Sequence, residues 1–212
     1  VEVYGEEKAA ELREKLINNY GLESRVPILK LRENPDKDIQ TIADYVYNNI
    51  FLHYTLKQWG QKPEDIDPSV SARVPVLISE DNGYFQDAYQ GMPLEGYTPL
   101  FEKMLDYPNI TVKLDTDANK LLSLKDGQVY FEGEPFNGQV IFTGPIDEFF
   151  SCCYGQLPYR SLNFVFEHHE KSDYQPKAVV NYTVSEDYTR ITEFKKLTGQ
   201  KKPEHTTIVK EY

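Results

Sequence analysis

An α+β fold is expected for this chain, a helical bundle followed by an antiparallel β-sheet. Three observations predict it. Apolar residues recur every three or four positions through residues 9–50, the helical period. Beyond Asp147, aromatic and β-branched residues alternate with polar ones, as in a sheet with one wet face. With 212 residues, 40% of them hydrophobic, the chain is long and apolar enough to bury a core.

The first helix is expected over residues 1–20, where Ala9, Leu12, Leu16 and Ile17 share a face and Gly21 supplies a stop. Ser24 to Leu31, interrupted by Pro27, reads as a loop. Asn34-Pro35-Asp36 starts the next helix, with Asn34 as cap, and Ile39, Ile42, Ala43, Val46 and Ile50 form its stripe. That helix should bend near Phe51. Gly60 to Arg73 is polar and rich in breakers, a surface loop. Val74–Ser79 reads as a strand, Asp81-Asn82-Gly83 as a turn, and Tyr84-Phe85 as the start of a returning strand. A helix is expected from Thr98 or Pro99 to Leu105. Strands are expected at Ile110–Leu114, Val129–Phe131, Val140–Phe142, through the near-alternating run Tyr159, Leu162, Phe164 and Phe166, and at Ala178–Thr183 and Thr206–Val209.

A net charge of −11 speaks against nucleic acid or an anionic membrane as partner. No apolar run approaches the ~20 residues of a membrane span, and the acidic, amphipathic start is no signal peptide. The only two cysteines, Cys152 and Cys153, are adjacent, and a disulfide between neighbours is strained. Reduced thiols in a cytoplasmic protein are expected. No metal site is expected either. His53 stands alone, and His168 and His169 would point to opposite faces of a strand.

One stretch concentrates chemistry. Tyr54-Thr55-Leu56-Lys57-Gln58-Trp59-Gly60 sets a phenol, a hydroxyl, an ammonium, an amide and the single Trp within two helical turns, with Arg73 at the far end of the loop. Aromatic faces stack on a base or sugar, and a guanidinium takes phosphate oxygens two at a time. These residue types suit an aromatic-walled site for an anionic nucleotide or nucleotide-sugar. They equally suit a helix end anchored by a Trp.

This stretch resembles the signature of bacterial UDP-galactopyranose mutases. Further blocks follow in that family's order: Arg73-Val74-Pro75-Val76, Asp81-Asn82-Gly83-Tyr84-Phe85, Tyr89-Gln90-Gly91-Met92-Pro93, Phe142-Thr143-Gly144-Pro145-Ile146-Asp147, Tyr159-Arg160-Ser161-Leu162, Asn181-Tyr182-Thr183, Tyr188-Thr189-Arg190 and Lys210-Glu211-Tyr212. The family's Gly-rich dinucleotide fingerprint is not among the blocks. The chain therefore reads as the middle of such an enzyme, expected on its own to hold no flavin tightly and to show no mutase activity.

The resemblance implies four segments. Residues 1–73 would be a helical substrate-binding bundle with a mobile loop, and 74–97 strands joining the antiparallel sheet. Residues 98–147 would be a returning, partial α/β piece of the flavin-binding domain, and 148–212 the antiparallel sheet domain. With the rest of its domain missing, the segment 98–147 should expose apolar surface, or have it covered by a swapped or oligomeric partner such as a homodimer mate.

The implied activity is interconversion of UDP-galactopyranose and UDP-galactofuranose, with reduced FAD forming a covalent adduct to the sugar. Phe51 and Tyr54 would stack on uracil. Thr55, Arg73, Tyr84 and Arg190 would hold the diphosphate, Trp59 would lie near ribose and sugar, and Asn181 would contact sugar or uridine. Asp117 and Ala118 would touch the adenine side of FAD. No side chain is assigned as catalytic. The competing class is a nucleotide-sugar binding or interaction module without catalysis; a flavin oxidoreductase on the same scaffold is a third reading.

Overall fold

A computed structural model describes every residue except Val1, Arg73, Asn82 and Tyr84, together with all but the side chain of Ser71. The chain folds as an α+β protein of two compact units. The first comprises residues 1–92 and 162–212, the second residues 93–161.

The first unit opens with α1 (Glu6–Tyr20), then β1 (Ser24–Val26), α2 (Ile28–Arg32) and α3 (Lys37–Val46). Residues expected to form a loop after Tyr20 instead make β1 and α2. The reason is pairing: Ser24–Val26 finds an antiparallel neighbour in β2 (Val76–Ile78), far along the chain. The cap of α3 is Asp36 rather than Asn34. The Asp36 carboxylate accepts the Asp38 amide at 2.8 Å, while Asn34 accepts the Asp36 amide and donates to the Tyr20 hydroxyl. Val26, Ile28, Leu31, Ile39, Ala43, Tyr47 and Ile78 form the buried core of this half, the α3 stripe facing inward as its period requires.

The expected bend near Phe51 takes the form of a π-helical turn, Tyr47–Leu52, which passes directly into α4 (His53–Trp59). Gly60 ends α4 in the left-handed conformation (φ 66°), where a Cβ would be strained. After a loop and the short α5 (Pro68–Ala72), the chain reaches β2.

In the second unit, α6 (Tyr97–Leu105) and α7 (Ala118–Leu121) precede the antiparallel meander β3 (Leu122–Lys125), β4 (Gln128–Phe131) and β5 (Glu134–Pro135), and α8 (Ile146–Phe149) follows. The runs at 110–114 and 140–142 are not strands. Among the described residues neither has a partner ladder, and β-type side chains alone do not make one.

The first unit is completed by β6 (Phe164–His169), β7 (Val179–Asn181), β8 (Arg190–Glu193), α9 (Phe194–Thr198) and β9 (Thr206–Glu211). These strands form an antiparallel sheet in the order β6-β9-β8-β7. Ile191, Ile208 and Val209 are its buried apolar centre. His168 and His169 do diverge on β6: one approaches Thr207, the other Glu167.

Candidate functional site

A cleft of about 330 Å³ lies in the first unit. One wall comes from the π turn and α4: Ile50, Phe51, Tyr54, Thr55, Gln58 and Trp59. The opposite wall is the β7–β8 hairpin with Asn181, Thr183 and Arg190, and Ile66, Val70 and Val74 supply an apolar rim from the segment after α4. The volume falls in the range of ~300–1,000 Å³ usual for small-molecule sites.

The local causes are readable. Continuous helical winding from Tyr47 to Trp59 carries Phe51, Tyr54, Thr55 and Trp59 into one wall. Tyr54 and Gln58 are four residues apart and meet side by side, the Gln58 amide donating to the phenol oxygen at 3.2 Å. On the other wall, Asn181 and Arg190 are direct cross-strand partners. Arg190 Nε donates to Asn181 Oδ1 at 2.9 Å, and its Nη1 lies 3.7 Å from the Glu211 carboxylate of β9. A guanidinium has five N–H donors, and the bond to Asn181 uses one. The hairpin thus holds a half-exposed cation at the edge of an aromatic wall.

The expected ligand residues Phe51, Tyr54, Thr55, Trp59, Asn181 and Arg190 all line this cleft. Arg73 and Tyr84 lie outside the described residues, as does Asn82 of the expected turn. Asp117 and Ala118 belong to the second unit, where both are exposed. Asp117 caps α7 by accepting the Asn119 amide at 3.0 Å. Ile50, Ile66, Val70, Val74 and Thr183 are not anticipated in the cleft from the sequence, and Gln58, although within the aromatic stretch, has no ligand role of its own there. Gln58 carried a signal in its four-residue spacing from Tyr54. Ile66 and Val70 carried another, as apolar residues four apart in an otherwise polar loop.

The loop after α4 is anchored at its base. Glu64 accepts from the Tyr47 hydroxyl at 2.7 Å and from Arg32 Nη1 at 2.9 Å, and the Arg32 guanidinium lies 3.9 Å above the Tyr47 ring. Burial, together with the Glu64 carboxylate, pushes the Tyr47 hydroxyl up to about 12, so it stays a donor at physiological pH.

The fold and the cleft are those of an α+β protein whose site chemistry suits a planar, anionic ligand. The chain belongs to the UDP-galactopyranose mutase family, whose model matches residues 49–212. It is 34% identical over 192 residues to a UDP-galactopyranose mutase of Mycoplasma pneumoniae, covering 90% of this chain and 48% of that protein. It is 35% identical over 179 residues to a dTDP-fucopyranose mutase of Escherichia coli, covering 84% and 46%. A probable UDP-galactopyranose mutase of Klebsiella pneumoniae is 35% identical over 178 residues, covering 84% and 43%. The chain therefore spans about half the length of the curated relatives it matches. No helix among the described residues is long and apolar enough to cross a membrane.

Proposed function

We propose that this chain carries the substrate cleft of a nucleotide-sugar mutase that interconverts UDP-galactopyranose and UDP-galactofuranose. The observation that carries the reading is the cleft itself: aromatic residues of α4 and the π turn face Asn181 and Arg190 across a nucleoside-sized space. Phe51 and Tyr54 stack on the base, and Trp59 packs on ribose and sugar. Thr55 donates its hydroxyl to the diphosphate, and Arg190 grips the same group with its remaining N–H donors. Arg73 and Tyr84, which lie outside the described residues, would add further diphosphate contacts by the family resemblance, and Asn181 would contact sugar or uridine. Two guanidiniums on separate elements would stabilise charge as UDP leaves the anomeric carbon and keep it close for return.

The family resemblance would put Asp117 and Ala118, both exposed in the second unit, against the adenine side of FAD. Reduced flavin, when bound, supplies the nucleophilic ring nitrogen for this chemistry. The protein's own part is to bind, orient and exclude water.

The Escherichia coli relative acting on a dTDP-sugar favours a second substrate reading, dTDP-fucopyranose in place of UDP-galactopyranose. Calorimetric titration with UDP, dTDP and ADP tests both. One-to-one binding of a pyrimidine diphosphate that quenches Trp59 fluorescence is expected, weakened about tenfold or more in Arg190→Ala. Equal affinity for ADP, or unchanged binding by the variant, would remove the reading. In the flavin-loaded enzyme, Arg73→Ala and Arg190→Ala are each expected to lose most turnover. Near-normal rates from both would sink the diphosphate clamp.

A further inference from the structure

Lys57 sits in the middle of α4 but does not line the cleft. Its ammonium donates to the Tyr182 carbonyl at 2.7 Å and lies 3.3 Å from the Tyr188 carbonyl. The two carbonyls come from the two arms of the β7–β8 hairpin and converge on the one ammonium. Tyr182 directly follows Asn181, and Tyr188 stands two residues before Arg190. The hairpin is closed there by the Tyr182 amide on the Thr189 carbonyl (2.9 Å) and by edge-to-face packing of the Tyr182 and Tyr188 rings. A second tie lies one residue further on, where the Thr183 hydroxyl donates to the Asn49 carbonyl at 2.6 Å, inside the π turn. The two walls of the cleft are thus bonded directly to each other.

Half-burying an ammonium costs free energy that a packing role would not require. Burial does push the Lys57 ammonium down from its ordinary value, against the pull of Glu186 and Asp187 at the hairpin tip. What lysine offers is three donors on one atom, enough to serve two carbonyls that no neutral aliphatic side chain could satisfy.

We propose that Lys57 is a positioning residue: it fastens the β7–β8 hairpin to α4, and so fixes where Asn181 and Arg190 stand against the aromatic wall. The consequence for ligand affinity rests on the cleft being the nucleotide site; the fastening itself does not.

The test compares the unaltered protein with Lys57→Met, which keeps the stem and removes the donors, and Lys57→Arg, whose fork can still span two carbonyls. Amide hydrogen exchange is followed in residues 182–190, with α1 as internal reference, and UDP affinity is measured by calorimetry. Lys57→Met is expected to speed exchange in 182–190 about tenfold while α1 is unchanged, and to weaken UDP binding by a similar factor. Lys57→Arg is expected to restore both. Unchanged exchange in Lys57→Met would overturn the proposal. So would equal acceleration in α1 and the hairpin, which would mark Lys57 as a general stability residue. If Lys57→Met does not fold, Lys57→Gln, whose shorter and neutral amide holds the two carbonyls less firmly, is expected to show the same local acceleration; a second failure to fold overturns the proposal. If the unaltered protein binds no UDP, the functional reading falls while the exchange comparison still decides the fastening.

Discussion

Arg190, proposed above to grip the diphosphate, is oriented by its own hairpin and the next strand. Its Nε donates to Asn181 and its Nη1 is ion-paired with Glu211 at 3.7 Å, so the guanidinium is oriented, with Glu211 as the charge that an incoming anion would compete with. Asn181→Ala should therefore weaken UDP binding through a misaimed Arg190, with a smaller loss than Arg190→Ala itself in the same titration. Glu193 serves stability instead. Fully buried on β8, it accepts from Thr206 Oγ1 (2.6 Å) and from the amides of Tyr174 and Gln175 (3.0 and 3.1 Å). Burial would raise its pKa, but these hydrogen bonds and the nearby Lys196 hold it below its ordinary 4.5. Its contribution is thus present above about pH 4.5 and lost as pH falls through the lower folded value. Glu193→Gln should cost about 3 kcal/mol near neutrality and flatten the acid limb of stability against pH, as read by urea unfolding. An unchanged acid limb would mean that other carboxylates set it.

At the level of elements, the π turn ending at Leu52 and the hairpin joining β7 to β8 define the cleft, and the Tyr47–Glu64–Arg32 cluster anchors its rim. Tyr47→Phe should lower stability by about 1.5 kcal/mol, since the lost hydrogen bond goes to a carboxylate. It should also quicken amide exchange around Glu64; no change in that exchange would show the anchor to be idle. The helical half of the molecule was legible in the sequence because its stripes keep one period. The aromatic wall was legible because its residues are close in the chain. The opposite wall was not available from spacing: Asn181 and Arg190 became candidates only through resemblance, since 120 or more residues separate them from Trp59. β1 escaped notice for the same reason, its partner lying beyond the loop. The runs at 110–114 and 140–142 have strand composition, yet a strand exists only where another ladder accepts its hydrogen bonds.

On the scale of the whole molecule, the two units differ in how they dispose of apolar surface. The first has a closed core under its helices and another within its sheet. The second leaves Leu114, Ile141 and Tyr154 more than four-fifths exposed, at 81%, 84% and 98%. Such a surface should bind a hydrophobic dye and drive concentration-dependent association in sedimentation. A dye-silent, strictly monomeric protein would contradict this.

The order β6-β9-β8-β7 carries one more consequence. The strand translated last of the four lies inside the sheet and bridges β6 to β8, so a nascent chain that has emerged only as far as β8 can pair β8 with β7 but cannot join either to β6. The side of the cleft bearing Arg190 joins the rest of its sheet only after Thr206–Glu211 has left the ribosome, whereas β1 can pair with β2 much earlier. A translational pause before residue 206 would leave a finished helical half waiting beside an open, aggregation-exposed hairpin.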